Sequence, residues 1–189
     1  MKILKHLWTI MRHRYWVRHY CFRLGLIRQG LFHDLSKYSP VEFWTSVKYY
    51  QGGSSPIDAE VKEKGFSYVW QHHKGHNPHH WEYWITNLSS YQNTPIRIPY
   101  NYVLEMLCDW IASGKVYMKN SGKVWTQSAP YDFYWNVKMK SGDIILHRDT
   151  KLLVEFFLLV IKSMGVNYFI HIAKLKKCSI IREYINFSS

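Results

Sequence analysis

Acidic side chains are scarce in this chain. Its 189 residues hold 13 Asp and Glu against 25 Lys and Arg, a formal net charge of +12. The shortage is sharpest in residues 1–37, where eight Lys or Arg face a single acid, Asp34. Such a field attracts nucleotides, nucleic acid or an anionic membrane surface. Its bland counterpart is a solvated helix face that serves solubility. Cysteine is rare too. Cys21, Cys108 and Cys178 are widely spaced, odd in number and form no CxxC pair. That excludes a disulfide framework and a zinc ribbon, and it fits a reducing cytoplasm.

Long apolar runs are missing. The longest, Leu152 to Ile161, is interrupted by Glu155 and reaches only about half of the roughly 20 residues that span a bilayer. The first twenty residues mix apolar positions with Lys2, Lys5, Arg12, Arg14 and Arg18, so they do not read as a secretory signal. A soluble, cytoplasmic protein with no membrane span is expected. There is no internal repeat, no low-complexity tract, no sustained strand alternation and no recognisable nucleic-acid-binding motif.

What the chain does contain is apolar and aromatic residues, 47% and 17% of the total, enough for a packed globular core. Residues 3–24 have helical periodicity. At about 100° per residue, Ile3, His6, Ile10, His13, Trp16, Val17, Tyr20, Cys21 and Leu24 share one broad stripe. A second helix is expected from Ile27 to Lys37. Ser39-Pro40-Val41-Glu42 has the form of a capping box with proline at the first helical position, opening a helix that runs to about Gln51. Ser55-Pro56 starts another, broken at Gly65 and continuing to the histidine-rich run QHHKGHNPHHWEYW. Asn77-Pro78 resets the chain and starts a short helix with His79 and His80 in its first turn. Ser89 to Arg97 reads as a polar loop, and Pro99 to Ser113 as a helix. Residues 114–148 read as loop with one short helix near Tyr131–Val137, and Asp149 or Thr150 caps a final helix ending at Gly165. The fold class is all-α.

The chemistry centres on His33-Asp34, within GLFHDLSKYSP. Neighbouring imidazole and carboxylate groups can share one divalent ion, and Lys37, one turn further, can hold an anion. A surface aspartate beside a core histidine is the commoner meaning of a lone His-Asp pair, so further ligands are needed. His13 lies within about 60° of Ile10, Val17 and Leu24 and points inward, whereas His19 lies about 120° away. Five histidines fall within nine residues (His72, His73, His76, His79, His80), flanked by Trp70, Trp81 and Trp84 that would anchor them on the core. His73 and the His79-His80 pair can converge from two sides of a turn, while His76 sits at its tip. Asp109, mid-helix in LEMLCDWIA, is costly to bury unless paired or metal-bound. The alternative is a solvated flank shared with Glu105.

A histidine, a His-Asp pair and a distant aspartate, all on helices, resemble the HD-domain superfamily of metal-dependent phosphohydrolases. The closer similarity is to an uncharacterised bacterial and phage family of HD-like proteins, DUF5662. That family shares the stretches HDLSK(Y/F)SPxEF, HHxxxNxHHxEYW and EMxxD. Their counterparts are His33 through Phe43, His72 through Trp84 and Glu105 through Asp109. The resemblance implies an HD-domain-like helical bundle over residues 1–165, followed by a basic C-terminal extension, 166–189, of unassigned role. Carried over residue by residue, it implies metal ligation by His13, His33, Asp34 and Asp109, with His73, His79 and His80 as candidates for a second ion.

The implied activity is hydrolysis of a nucleotide or other small phosphoester by a metal-activated water. One or two divalent ions (zinc, manganese, iron or nickel) would serve. Lys37, with Arg14 or Lys74 if they face the cleft, would neutralise the phosphate. Asp34 would ligate and orient the water, and a histidine such as His79 would protonate the leaving oxygen. Two other readings fit the same residues: an HD-fold oxygenase with two irons, and a non-catalytic basic binding protein with a structural metal. Nucleic acid is a less favoured partner than a phosphate-bearing small molecule.

Overall fold

In the computed structural model the protein is all-α. Residues 1–88, 91–142 and 144–186 are described, and among them ten α-helices accompany one short β-hairpin. No helix among these residues is long and apolar enough to cross a membrane.

Helix α1 (Lys2–Leu24) is the long axis of the molecule's first half. Gly25 ends it in the left-handed conformation, φ 82°, and donates its N–H to Cys21 and Phe22 carbonyls, the stop that glycine makes without steric cost. Helix α2 (Ile27–Phe32) folds back against α1. The contact is so close that a Cβ on Gly30 would meet Cys21 Cβ and the Phe22 ring at 3.0 Å. Glycine at this one position therefore sets how near the following His33 comes to α1.

Helix α2 stops at Phe32 instead of running to Lys37. His33 is extended, Asp34 is left-handed at φ 54°, and a 3-10 turn follows over Leu35–Tyr38. A continuous helix would splay the two side chains about 100° apart. The break turns both inward, and aspartate is among the few non-glycine residues that tolerate this backbone. Helix α3 (Pro40–Tyr49) begins as expected, with Ser39 Oγ accepting the Glu42 N–H. The other half of the expected capping box does not form, because the Glu42 carboxylate is buried and turned to His72 and His73. Ser55 and Ser67 cap α4 (Pro56–Lys64) and α5 (Tyr68–His76), and Gly65 separates them at φ 81°.

Asn77-Pro78 does not start a helix that holds His79 and His80. The chain passes through a turn, and a 3-10 segment covers Trp81–Trp84. Trp84 Nε1 donates to the Pro78 carbonyl at 2.6 Å and fixes that turn. Strands β1 (Ile85–Leu88) and β2 (Tyr91–Pro95) then pair antiparallel, with Ile85 opposite Pro95 and Thr86 opposite Thr94. Ser89 to Arg97 was expected to be a polar loop, and β2 lies within it; Ser89 and Ser90 lie outside the described residues. The strands are short and mostly polar (ITNL and YQNTP), so sequence periodicity gives no sign of them, although Ile85 packs against the core.

Helix α6 (Tyr100–Asn120) extends two turns beyond the expected end at Ser113 and packs along α1. Helix α7 (Ala129–Phe133) continues as a π-helix through Tyr134–Met139. Helix α8 (Arg148–Met164) is capped by His147, whose Nδ1 accepts the Asp149 N–H, and not by Asp149 or Thr150. Thr150 is buried and accepts from the Ile98 N–H instead. Helices α9 (Val166–Leu175) and α10 (Ser179–Asn186) follow. Their Phe169, Ile170, Ile181 and Tyr184 enter the same core as Val17 and Cys21 of α1, Met106 and Leu107 of α6, and Phe157 and Ile161 of α8. That core packs along the α1–α6 seam, and α1 and α6 also carry residues of the polar cluster described next.

Candidate metal centre

Four segments converge on one buried cluster. Helix α1 supplies His13, the break after α2 supplies His33 and Asp34, α5 and the turn after it supply His73, His79 and His80, and α6 supplies Glu105 and Asp109. Asp34 is fully buried, and His33, His73 and His79 nearly so.

The ligand atoms fall into two groups that share Asp34. On one side His13 Nε2 lies 3.3 Å from Asp34 Oδ2, 3.1 Å from Asp109 Oδ1 and 3.2 Å from His33 Nε2. His33 Nε2 is also 3.3 Å from Asp34 Oδ2. On the other side Asp34 Oδ1 faces His73 Nε2 at 3.3 Å and His79 Nε2 at 3.4 Å, and His80 Nε2 lies 2.9 Å from His73 Nε2. Atoms about 2.0–2.2 Å from one ion sit roughly 3–3.5 Å from one another, which is the spacing found on both sides.

The outward nitrogens of these rings are held by two further carboxylates. Glu105 Oε1 is 2.8 Å from His33 Nδ1 and 3.3 Å from His79 Nδ1. Glu42 Oε2 is 2.8 Å from His73 Nδ1, and Glu42 Oε1 is 2.7 Å from His72 Nδ1. A carboxylate beside Nδ1 keeps the proton there, so the Nε2 lone pairs of His33, His73 and His79 point at one another and at Asp34. Glu105 also forms a group with His33 and His79 that could hold an ion by itself. Orientation is the better reading of Glu105, because the lone pairs it aims all meet at Asp34.

Whether the residues fit a metal can be judged from their unmet demands. Both Asp34 oxygens and His79 Nε2 are buried without a well-directed hydrogen bond, although Lys37 Nζ comes within 2.6 Å of Asp34 Oδ2. Facing lone pairs beside a buried carboxylate are costly unless a cation lies between them. The donor set, imidazole and carboxylate without thiolate, suits zinc, manganese, iron or nickel. The residues fit.

Electrostatics agree with the geometry. Burial would raise the Asp34 carboxyl, but His33, Lys37 and His73 hold it well below the usual range. Burial likewise opposes ionisation of Asp109, yet hydrogen bonds from His13 and His33 hold it well below the ordinary value. Burial lowers His80 strongly, reinforced by His79 and His73, and it lowers His79, reinforced by His33. Both are thus neutral, the form that binds metal. His33 is the exception: burial would lower it, but Asp34, Asp109 and Glu105 raise it well above normal. A divalent ion and a proton would compete for His33.

Each residue expected from the sequence can now be placed. His13, His33, Asp34 and Asp109 share one side, and His73, His79 and His80 share the other with Asp34. His79 is buried, with Nε2 3.4 Å from Asp34 Oδ1. Lys37 sits at the edge, its side chain 27% exposed. His19 and His76 are exposed, as their positions suggested. Arg14 does not face the cluster. It donates to the His33 and Leu31 carbonyls at 2.9 Å and lies over the Tyr38 ring, so it fixes the backbone of the break. Glu42 and Glu105 were missed as participants. Glu105 stands one turn before Asp109 and shares its burial, a signal hidden because either acid alone reads as a solvated flank.

No curated protein and no solved structure matches the chain. A family described only as of unknown function, DUF5662, matches residues 2–159. That span contains every residue of the cluster, and the chain belongs to this family.

Proposed function

We propose that this protein is a metal-dependent phosphohydrolase, similar to HD-domain enzymes, that acts on a nucleotide or another small phosphoester. The observation that carries this reading is the Asp34 carboxylate, each of whose oxygens faces a separate set of imidazoles. A bridging carboxylate between two nitrogen-rich half-sites is the arrangement that two-ion hydrolysis needs. One ion would be held by His13, His33, Asp34 and Asp109, and a second by Asp34, His73, His79 and His80. Divalent ions bound there would polarise a phosphate oxygen and lower the pKa of a water.

The chain's own residues do the rest. Glu105 and Glu42 hold the Nδ1 sides of the His33, His79 and His73 rings, so that each Nε2 is aimed toward Asp34. Burial pulls the Lys37 ammonium down, but Asp34 outweighs it and raises its pKa, so Lys37 stays charged. From the edge of the cluster it neutralises a phosphate oxygen as a fixed cation, without giving up its proton.

The test is phosphate release from a panel of nucleotides and small phosphoesters by protein stripped of metal and reloaded with one ion at a time. Metal-dependent release is expected, and His33→Ala with Asp34→Ala should abolish both release and metal content. Undiminished release by that double variant ends the proposal. So does iron-loaded protein that takes up oxygen and releases no phosphate.

A further inference from the structure

One groove on the surface lies apart from the carboxylate–imidazole cluster, none of whose residues lines it. It has a volume of about 690 Å³ and runs between the outer faces of α1 and α6, with Trp125 also in its lining. We propose that this groove binds single-stranded nucleic acid, independently of any metal.

Charge is the first reason. Arg12, Arg18, Lys115, Lys119 and Lys123 line the groove, and among the described residues no acidic one does. Arg12 is held at the rim by its hydrogen bond to Asn120 Oδ1, 3.2 Å. Cations on both walls of a hollow create a stronger field than the same cations on a convex face.

Aromatic faces are the second reason. Trp8 and Tyr15 are 60% and 53% exposed. They stand seven residues apart on α1, hence on one face and roughly 10 Å apart along the axis, with Arg12 between them. Exposed rings alternating with cations form the surface on which unpaired bases stack while phosphates are neutralised. A membrane-binding face would project such rings from a convex surface; here they line a concave one.

The floor is built and not incidental. Lys115 lies between two indoles, 4.7 Å from the Trp16 ring and 4.1 Å from the Trp125 ring. Trp125 rests on Gly114, where a Cβ would come within 3.1 Å of its Nε1. A glycine inside a helix costs about 0.5–1 kcal/mol relative to alanine. At Gly114 the missing side chain makes room for the indole. The track also continues, since Trp8 borders a second hollow lined by Lys2 and Lys5.

Anisotropy of a fluorescein-labelled oligo(dT) of about 12 nucleotides, titrated with the full chain in EDTA at several KCl concentrations, tests the proposal. Binding that weakens with salt is expected. Trp8→Ala and Tyr15→Ala should each weaken it roughly ten-fold without altering the salt slope, and Trp8→Phe should restore most of the loss. Lys119→Gln with Lys123→Gln should instead flatten the slope by about 1.4. Both rings are exposed, and a circular dichroism melt of each variant verifies the fold. Three results overturn the proposal: equal binding of duplex DNA, aromatic variants that bind like the parent, or preference for phosphatidylserine vesicles or polyglutamate over oligo(dT). Because EDTA is present throughout, failure of the hydrolase reading leaves these outcomes unchanged.

Discussion

Along helix α1, His6, Thr9, Ile10, His13 and Val17 are buried, while Trp8, Met11, Tyr15 and Arg18 are exposed. The two faces belong to one helix and answer to different physics. On the inner face polar atoms have left water, so each needs a partner at a defined distance, and removal of one leaves another unpaired. On the outer face cations remain hydrated and screened, each pair contributes little, and the effect comes from their sum. The inner face can therefore be broken by one atom, and the outer face only by several residues or by salt.

The sharpest way to break the contrast is Asp34→Asn. Asparagine tolerates the left-handed backbone at φ 54° and keeps the side chain's shape, so the change removes charge without forcing the turn. Metal affinity at both half-sites is expected to fall by more than about 100-fold, beyond what outer partners contribute. Element analysis after dialysis reads this directly. Retention of two ions by the variant would show that Asp34 does not bridge.

A smaller effect separates the half-sites from each other. Glu105 holds rings on both sides of Asp34, whereas Glu42 holds His73 and His72 only. Glu105→Gln should weaken both ions, and Glu42→Gln only one, each by about 10–100-fold. Calorimetric titration of zinc into the metal-free variants distinguishes one weakened site from two. Identical titrations would reject the assignment of these acids.

The smallest effect concerns His6, on the inner face but outside the cluster. Its ring lies against Phe43 and Tyr50, and neither nitrogen has a hydrogen-bond partner. Burial, with Lys37 adding to it, lowers its pKa to about 4. The unfolded chain takes up this proton below about pH 6.5, while the folded protein resists until about 4. Stability from this group is thus present above 6.5 and lost as pH falls through that window. His6→Phe should raise stability relative to the parent by at most about 2 kcal/mol at pH 5, with none of that gain at pH 8. Parallel denaturation midpoints at the two pH values would show that His6 does not titrate in this way.

How much of this was legible in the sequence depends on the kind of signal. Helical phase alone chose His13 over His19, because a stripe of apolar residues fixes which way a helix faces. Local capping residues gave the starts of α3 and α4, since a serine before proline acts within one turn. The break at His33 was not legible. Helix α2 ends there through its approach to α1 at Gly30 and the carbonyl contacts of Arg14, which are contacts between segments distant in sequence. Glu42 shows the same limit. Its local pattern fits a capping box, and a tertiary partner, His73, takes the carboxylate instead.

By itself, then, the sequence determined the all-α class, the inward face of α1 and a set of candidate histidines and aspartates that the fold brings together. Periodicity and side-chain chemistry are local properties, and they survive in a string of letters. Only the tertiary structure decided that Asp34 stands between two groups of imidazoles, that Glu42 and Glu105 hold the far sides of the rings, and that Arg12 and Arg18 of α1 share one groove with Lys115 and Lys119 of α6. Those facts rest on distances between residues far apart in the chain, and packing of the α1–α6 core sets them.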